Sequence, residues 1–172
     1  MKDFNIRLIN RNDANLLFDL IQKNRNRLVD FFAGTVKHTN TLRDTVDYCL
    51  VIEDKIKNKE YLPYFILNGS NEVIGFIDFK NIDWTIPKAE LGAFIDANFE
   101  GKGFVTKTFN YLLESVIQEH EFKKLYCRIA EENHRSIQLA LRCGFKLEGT
   151  IVKDYRTTKG ELVDLNYYGK EL

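Results

Sequence analysis

Between residues 62 and 96 the chain adopts a two-residue alternation that neither flank shares, and this change of period limits the folds open to it. The stretches "LPYFILN", "EVIGFIDFKNI" and "KAELGAFID" each read as a strand, separated by "GSN" and by a turn region around Trp84 and Pro87. Links this short predict an antiparallel meander. Upstream, "FNIRLI" alternates as a strand, and Asp13 is placed to cap a helix carrying Leu16, Leu17, Leu20 and Ile21. A second, less regular helical segment is expected from Arg25 to Phe32. Thr41 with Asp44 three positions on resembles a capping box for a further helix, with Val46, Cys49, Leu50, Val51 and Ile56 as its apolar side.

Downstream, Val105, Phe109, Leu112, Leu113, Val116 and Ile117 form an apolar stripe at helical spacing. "KLYCRIA" is then a strand, "NHRSIQLALRC" a helix ended by Gly144, and "FKLEGTIVKDY" and "LVDLNYYGK" two strands joined across "TTKG". The order is strand, helices, three strands, helix, strand, helix, two strands. With 172 residues, no internal repeat and no Pro/Gly/Ser-rich linker, residues 1–172 are expected to form one mixed α/β domain.

Charge narrows the function. Lysine plus arginine equals aspartate plus glutamate at 25 each, so no bulk field recruits a polyanion, and neither nucleic acid nor a membrane surface is an expected partner. Cys49, Cys127 and Cys143 are odd in number and lack a C-x-x-C pair, which suggests reduced packing residues without a disulfide frame. His38, His120 and His134 lack ligand spacing, so no metal is expected. The N-terminus lacks an apolar leader core and no run approaches a membrane span, so a cytoplasmic protein is expected.

The stretch "FEGKGFVTKTF", residues 99–109, sets two glycines around a lysine immediately before the predicted helix. A loop entering a helix aims unpaired amides and the positive end of the helix dipole at one spot, where anions bind. Gly101 and Gly103 would let a pyrophosphate approach those amides, and Lys102 would add a mobile charge. A P-loop is excluded because it needs four residues between its glycines, and a dinucleotide fingerprint because it needs a third glycine. Gly-x-Gly before a helix is also compatible with a plain turn.

Together with "NHRSIQLALRCGFKLEG", this loop resembles the acetyl-CoA loop and following Asn-x-x-Ser helix of the GNAT N-acetyltransferases, specifically their RimJ/RimL-like group. "IRLINRNDANLLFDLIQKNRNRL" and "DLNYYGKEL" are similar to the opening and last strand of that group, so the resemblance covers nearly the whole chain. It implies a central, mixed, mostly antiparallel twisted sheet of about seven strands, flanked by helices and splayed at the acetyl-CoA site. The activity it implies is transfer of acetyl from acetyl-CoA to a primary amine, either the N-terminus of a ribosomal or other protein or a small amine such as a polyamine or aminoglycoside. A non-catalytic CoA-binding module is a further alternative.

By the same resemblance, amides from Glu100, Gly101, Lys102, Gly103, Phe104 and Val105 hold the pyrophosphate, with Thr106 at hand. Asn98 departs from the Gln or Arg common there, a change that backbone binding tolerates. The strand "AELGAFID" is expected to diverge from "LYCRIA", freeing backbone near Gly92, Ala93 and Phe94 for the pantetheine arm; the side chains of Leu91, Ala93 and Ile95 read as alternating core.

Glu90 is the candidate base, since a partly buried carboxylate gains the raised pKa that such a role favours; its structural alternative is a pair with Lys88 or another cation. Asn133 and Ser136 suit cofactor contact, with Ser136 a candidate donor to the CoA sulfur, and they also suit simple helix capping. Tyr155 is a second candidate acid beside Asp154, and both also read as exposed strand-end residues. The resemblance puts an acceptor cleft near "RNRLVDFF" and Trp84, although Phe31, Phe32 and Trp84 equally suit core or dimer contacts. A polyamine would call for a carboxylate-rich cleft, which Asp30, Asp44, Asp47 and Glu53 could supply. The aromatic-rich last strand could pair two copies as a homodimer.

Overall fold

Alternation and helical spacing translate into seven strands and six helices in the computed structural model, which describes residues 4–172 apart from the side chain of Leu113. That side chain was assigned above to the apolar stripe and lies outside the described residues. The strands are β1 (Phe4–Leu8), β2 (Leu62–Asn68), β3 (Val73–Asp83), β4 (Lys88–Ile95), β5 (Lys124–Ala130), β6 (Lys146–Arg156) and β7 (Leu162–Glu171). The helices are α1 (Ala14–Leu28), α2 (Ala33–Lys37), α3 (Leu42–Lys57), α4 (Phe104–Glu114), α5 (Val116–His120) and α6 (His134–Arg142). The sheet runs β1-β2-β3-β4-β5-β7-β6, with β2, β3 and β4 adjacent as the predicted meander requires. The pairs β1/β2, β5/β7 and β6/β7 are antiparallel, and β4/β5 is parallel. Because β7 is flanked by β5 and β6, its backbone is already used on both sides. Strand pairing between copies through β7, as expected from its aromatics, is therefore ruled out.

The described chain divides into two compact units, one running through Asp78 and taking in Ala93–Phe104, the other comprising Phe79–Gly92 and Val105–Leu172. In the first unit, Leu17, Leu20, Ile21 and Leu28 line one face of α1 and join Cys49, Ile52, Phe65 and Phe76 in a continuous apolar core. Phe32 belongs to this core, edge-on to Phe94 at 5.1 Å, whereas Phe31 is 49% exposed. In the second unit Phe109, Leu112, Val116 and Ile117 are buried as the stripe predicts, and Trp84 stacks on Phe122 at 5.2 Å.

Four local expectations are corrected. Asp13 does not cap α1 with its side chain: Asn10 caps a 3-10 turn at Arg11–Asp13, and the Asp13 carboxylate instead receives both terminal nitrogens of Arg7 at 2.7 Å. No break falls before Arg25, because α1 continues to Leu28 and the separate helix begins only at Ala33. Asn24 looks like a loop residue in sequence yet lies buried within α1, its amide donating to the Leu20 carbonyl at 2.9 Å. The long stripe helix is interrupted at Ser115, whose hydroxyl donates to the Tyr111 carbonyl at 2.9 Å.

The fourth concerns α3. Its capping box forms as predicted, but the buried face is Thr45, Cys49 and Ile52, while Val46, Leu50 and Val51 face outward. Thr45 can be buried because its hydroxyl donates to the Thr41 carbonyl at 2.9 Å, which satisfies the polar group inside the helix. Among the described residues no helix is long and apolar enough to cross a membrane.

Candidate active site

The loop that leads into α4 belongs to the first unit and is braced by α1. Asp96 caps a short 3-10 turn over Ala97–Phe99 by accepting the Asn98 amide at 2.9 Å. Asn24 accepts the Ala97 amide at 3.1 Å, and Arg27 donates to the Ile95 carbonyl at 3.0 Å while ion-pairing with Glu100. Gly101 and Gly103 follow with φ of +74° and +75°. A Cβ at either position would meet nothing within 4 Å, so the glycines are required by backbone handedness and not by crowding from the protein.

Among the described residues, the amides of Gly101, Lys102 and Gly103 have no hydrogen-bond acceptor. Phe104, Val105 and Thr106 open α4, whose first-turn amides have no intrahelical partner. A run of unpaired amides with alternating glycine conformations at a helix start is a nest for anionic oxygens. Lys102 is folded back, donating to the Asn98 carbonyl at 3.3 Å and lying 4.9 Å from the Phe99 ring centre.

In the second unit, β4 and β5 pair at Lys88/Lys124, Ala89/Leu125 and Glu90/Tyr126, and among the described residues the ladder goes no further. This is the divergence expected after Glu90. On β4, Leu91, Gly92 and Ala93 are half-buried and Phe94 is buried, so of the side chains read as alternating core only Ile95 is fully buried.

Glu90 is 4% exposed and strongly bonded. Its Oε2 accepts from Asn81 Nδ2 at 2.7 Å and from Arg128 Nε at 3.0 Å, and Lys80 Nζ lies 3.6 Å from Oε1. The cations beside it are thus Arg128 and Lys80, not Lys88, which faces Asp83 at 4.0 Å. Arg128 also reaches Asp154 Oδ2 at 3.4 Å, and the Tyr167 hydroxyl donates to that oxygen at 3.0 Å. Asp154 is therefore part of a polar network inside the strand, contrary to the exposed strand-end reading. The neighbouring Tyr155, paired in register with Val163, is half-buried. Burial raises the pKa of the Tyr126 and Tyr167 phenols, with Glu90 adding to the first and the hydrogen bond to Asp154 adding to the second.

Asn133 caps α6 by accepting the Ser136 amide at 3.2 Å, so the capping alternative is realised through the Asn133 side chain and the Ser136 backbone. The half-buried Ser136 hydroxyl takes no part in that cap and stays available for other chemistry.

Sequence reasoning missed Asn24 and Arg27 as supports for the loop and Arg128, Asn81, Lys80 and Tyr167 as partners of the carboxylates. One signal was present: "KLYCRIA" carries an arginine within a strand rich in apolar residues, and a charge so placed needs a partner. No group of three or more His, Cys, Asp or Glu among the described residues is placed to hold a metal.

An amide nest opening a helix, a parallel strand pair that parts after three residues, and a buried carboxylate at the parting define an acyl-CoA-dependent transferase of the GNAT type. Residues 3–146 match the acetyltransferase (GNAT) domain family, and the chain belongs to that family, in its RimJ/RimL-like group. As such it is an N-acetyltransferase that uses acetyl-CoA as co-substrate.

The chain is 32% identical over 172 residues to the putative ribosomal N-acetyltransferase YdaF of Bacillus subtilis, covering 95% of this chain and 88% of that protein. It is 24% identical to the spermidine N(1)-acetyltransferase of Vibrio cholerae, over 87% of this chain and 83% of the relative. Among solved structures, the microcin C7 self-immunity acetyltransferase MccE, in complex with acetyl-CoA and AMP, superposes with a TM-score of 0.88 at 26% identity. That match covers 100% of this chain and 94% of MccE.

Proposed function

We propose that the acetyl acceptor is the N-terminal amine of a protein, and that the chain works as one cytoplasmic domain without nucleic acid. The observation that carries this reading is charge balance. The Glu90 network holds two carboxylates, Glu90 and Asp154, against two cations, Lys80 and Arg128. On α3, Asp44 is committed to the capping box and Glu53 to Arg11 and Lys57. A polyamine carries several positive charges and calls for a surplus of carboxylates, whereas a protein N-terminus carries one. The 32% identity to a relative named as a ribosomal N-acetyltransferase supports the same choice.

Acetyl-CoA supplies the activated acyl group when bound. The amides of Glu100, Gly101, Lys102, Gly103, Phe104 and Val105, with Thr106, would hold its pyrophosphate. Backbone at Gly92, Ala93 and Phe94 would pair with the pantetheine arm. The unpaired amides at Gly101, Lys102 and Gly103 fit this role, since nothing in the chain already uses them. Glu90 would receive the proton that the amine releases, and Ser136, oriented beyond Asn133, or Tyr155 would supply one to the thiolate.

The test is thiol release from acetyl-CoA with serine- or alanine-initial peptides, spermidine and kanamycin as acceptors. Peptides are expected to turn over best, and a clear preference for spermidine overturns the reading. Glu90→Gln should lower peptide turnover at neutral pH by about 10²–10⁴-fold with acetyl-CoA binding intact by calorimetry.

A further inference from the structure

Arg128 stands between the two carboxylates of the second unit, and its geometry toward them is unequal. Its Nε donates to Glu90 at 3.0 Å and its Nη1 to Asp154 at the longer 3.4 Å. Glu90 is additionally held by Asn81 at 2.7 Å, while Asp154 receives the Tyr167 hydroxyl at 3.0 Å. Tyr167 is itself fixed by parallel stacking on Tyr126, 5.9 Å between ring centres and 5° between planes. Tyr126 pairs with Glu90 across β4/β5, and Tyr167 pairs with Arg128 across β5/β7. One arginine is thus shared by side chains from β4 and β6, with β3 and β7 furnishing the remaining donors.

We propose that Arg128 is a positioning residue divided between two carboxylates: it fixes Glu90 on the sheet, while Asp154, steadied by Tyr167, draws off part of its charge and keeps Glu90 basic. This rests on Glu90 acting as the proton acceptor. A guanidinium given wholly to one carboxylate makes that carboxylate a weak base, and removing the guanidinium leaves two neighbouring carboxylates that resist carrying charge together. Sharing gives a state between those extremes, ionised at neutral pH and still able to take a proton.

The charged and titratable groups facing Glu90 are Lys80 from β3 and Tyr126 and Arg128 from β5; Asp154 from β6 and Tyr167 from β7 act through Arg128. Burial opposes the Arg128 charge, but its attraction to Glu90 outweighs burial and holds the guanidinium firmly protonated. Its substitution therefore removes a full positive charge from between Glu90 and Asp154.

The experiment follows the Glu90 side-chain carboxyl resonance by NMR in the full chain labelled with ¹³C-glutamate, assigned by its loss in Glu90→Gln. In Arg128→Gln the titration midpoint should rise by about one to three pH units, in Asp154→Asn it should fall, and in Arg128→Lys it should stay near that of the parent. The acid limb of kcat/KM with a serine-initial peptide should move in the same directions. Midpoints that stay fixed in both Arg128→Gln and Asp154→Asn, with only the melting temperature lowered, overturn the proposal and leave Arg128 as a brace. If Arg128→Gln does not fold, Asp154→Asn decides alone: a downward shift supports sharing, and no shift refutes it. Full activity in Glu90→Gln removes Glu90 as the base; an inactive Glu90→Gln with unmoved midpoints removes only the role of Arg128.

Discussion

Cys49 is fully buried on α3, and burial foremost, with the nearby Asp13 charge, pushes its thiol up to about 11. Cys143 is buried and its thiol is likewise raised, chiefly by burial, whereas Cys127 on β5 is half-buried. Alkylation by iodoacetamide at pH 8 should modify Cys127 first and leave Cys49 untouched until the chain unfolds, as read by peptide mass spectrometry. Early modification of Cys49 would mean that the first unit opens locally in the native protein. At this scale, the packing role of the cysteines and the singular position of Glu90 were legible in the sequence. The partners of Glu90 were not, because they come from β3 and β5, and alternation within one strand cannot say which distant side chain will share its face.

At the scale of elements, strand and helix order was legible because period and punctuation carry it, and β5 matches "KLYCRIA" residue for residue. The phase of α3 was not. Thr45 hides its hydroxyl against its own helix, so ranking residues by polarity rotates the predicted face by one position, toward Val46 and Leu50. The loop before α4 shows a similar split: its glycines were visible, but the bracing by Asn24 and Arg27 from α1 was not. Because Gly103 has a positive φ in open space, Gly103→Ala should cost about 1–2 kcal/mol through backbone strain alone. Chemical denaturation reads that cost, and calorimetry should show weaker acetyl-CoA binding as the nest relaxes toward ordinary dihedrals. Unchanged stability would indicate that the loop already samples other conformations.

For the whole molecule, a ligand that binds only the folded chain stabilises it by mass action. Acetyl-CoA at one hundred times its dissociation constant should add about 2.7 kcal/mol. In a chain of this size each kcal/mol raises the melting temperature by about 2–4 °C, so a shift of several degrees is expected in a thermal scan, and no shift at millimolar acetyl-CoA would contradict the cofactor assignment. The division into two units adds a constraint of another kind. The boundary cuts through β3 after Asp78 and through β4 before Ala93, so neither unit is a continuous stretch of sequence. In evolutionary terms neither half is a cassette that recombination could lift out and splice elsewhere: a crossover that transferred one would sever two strands, and the halves descend together or not at all.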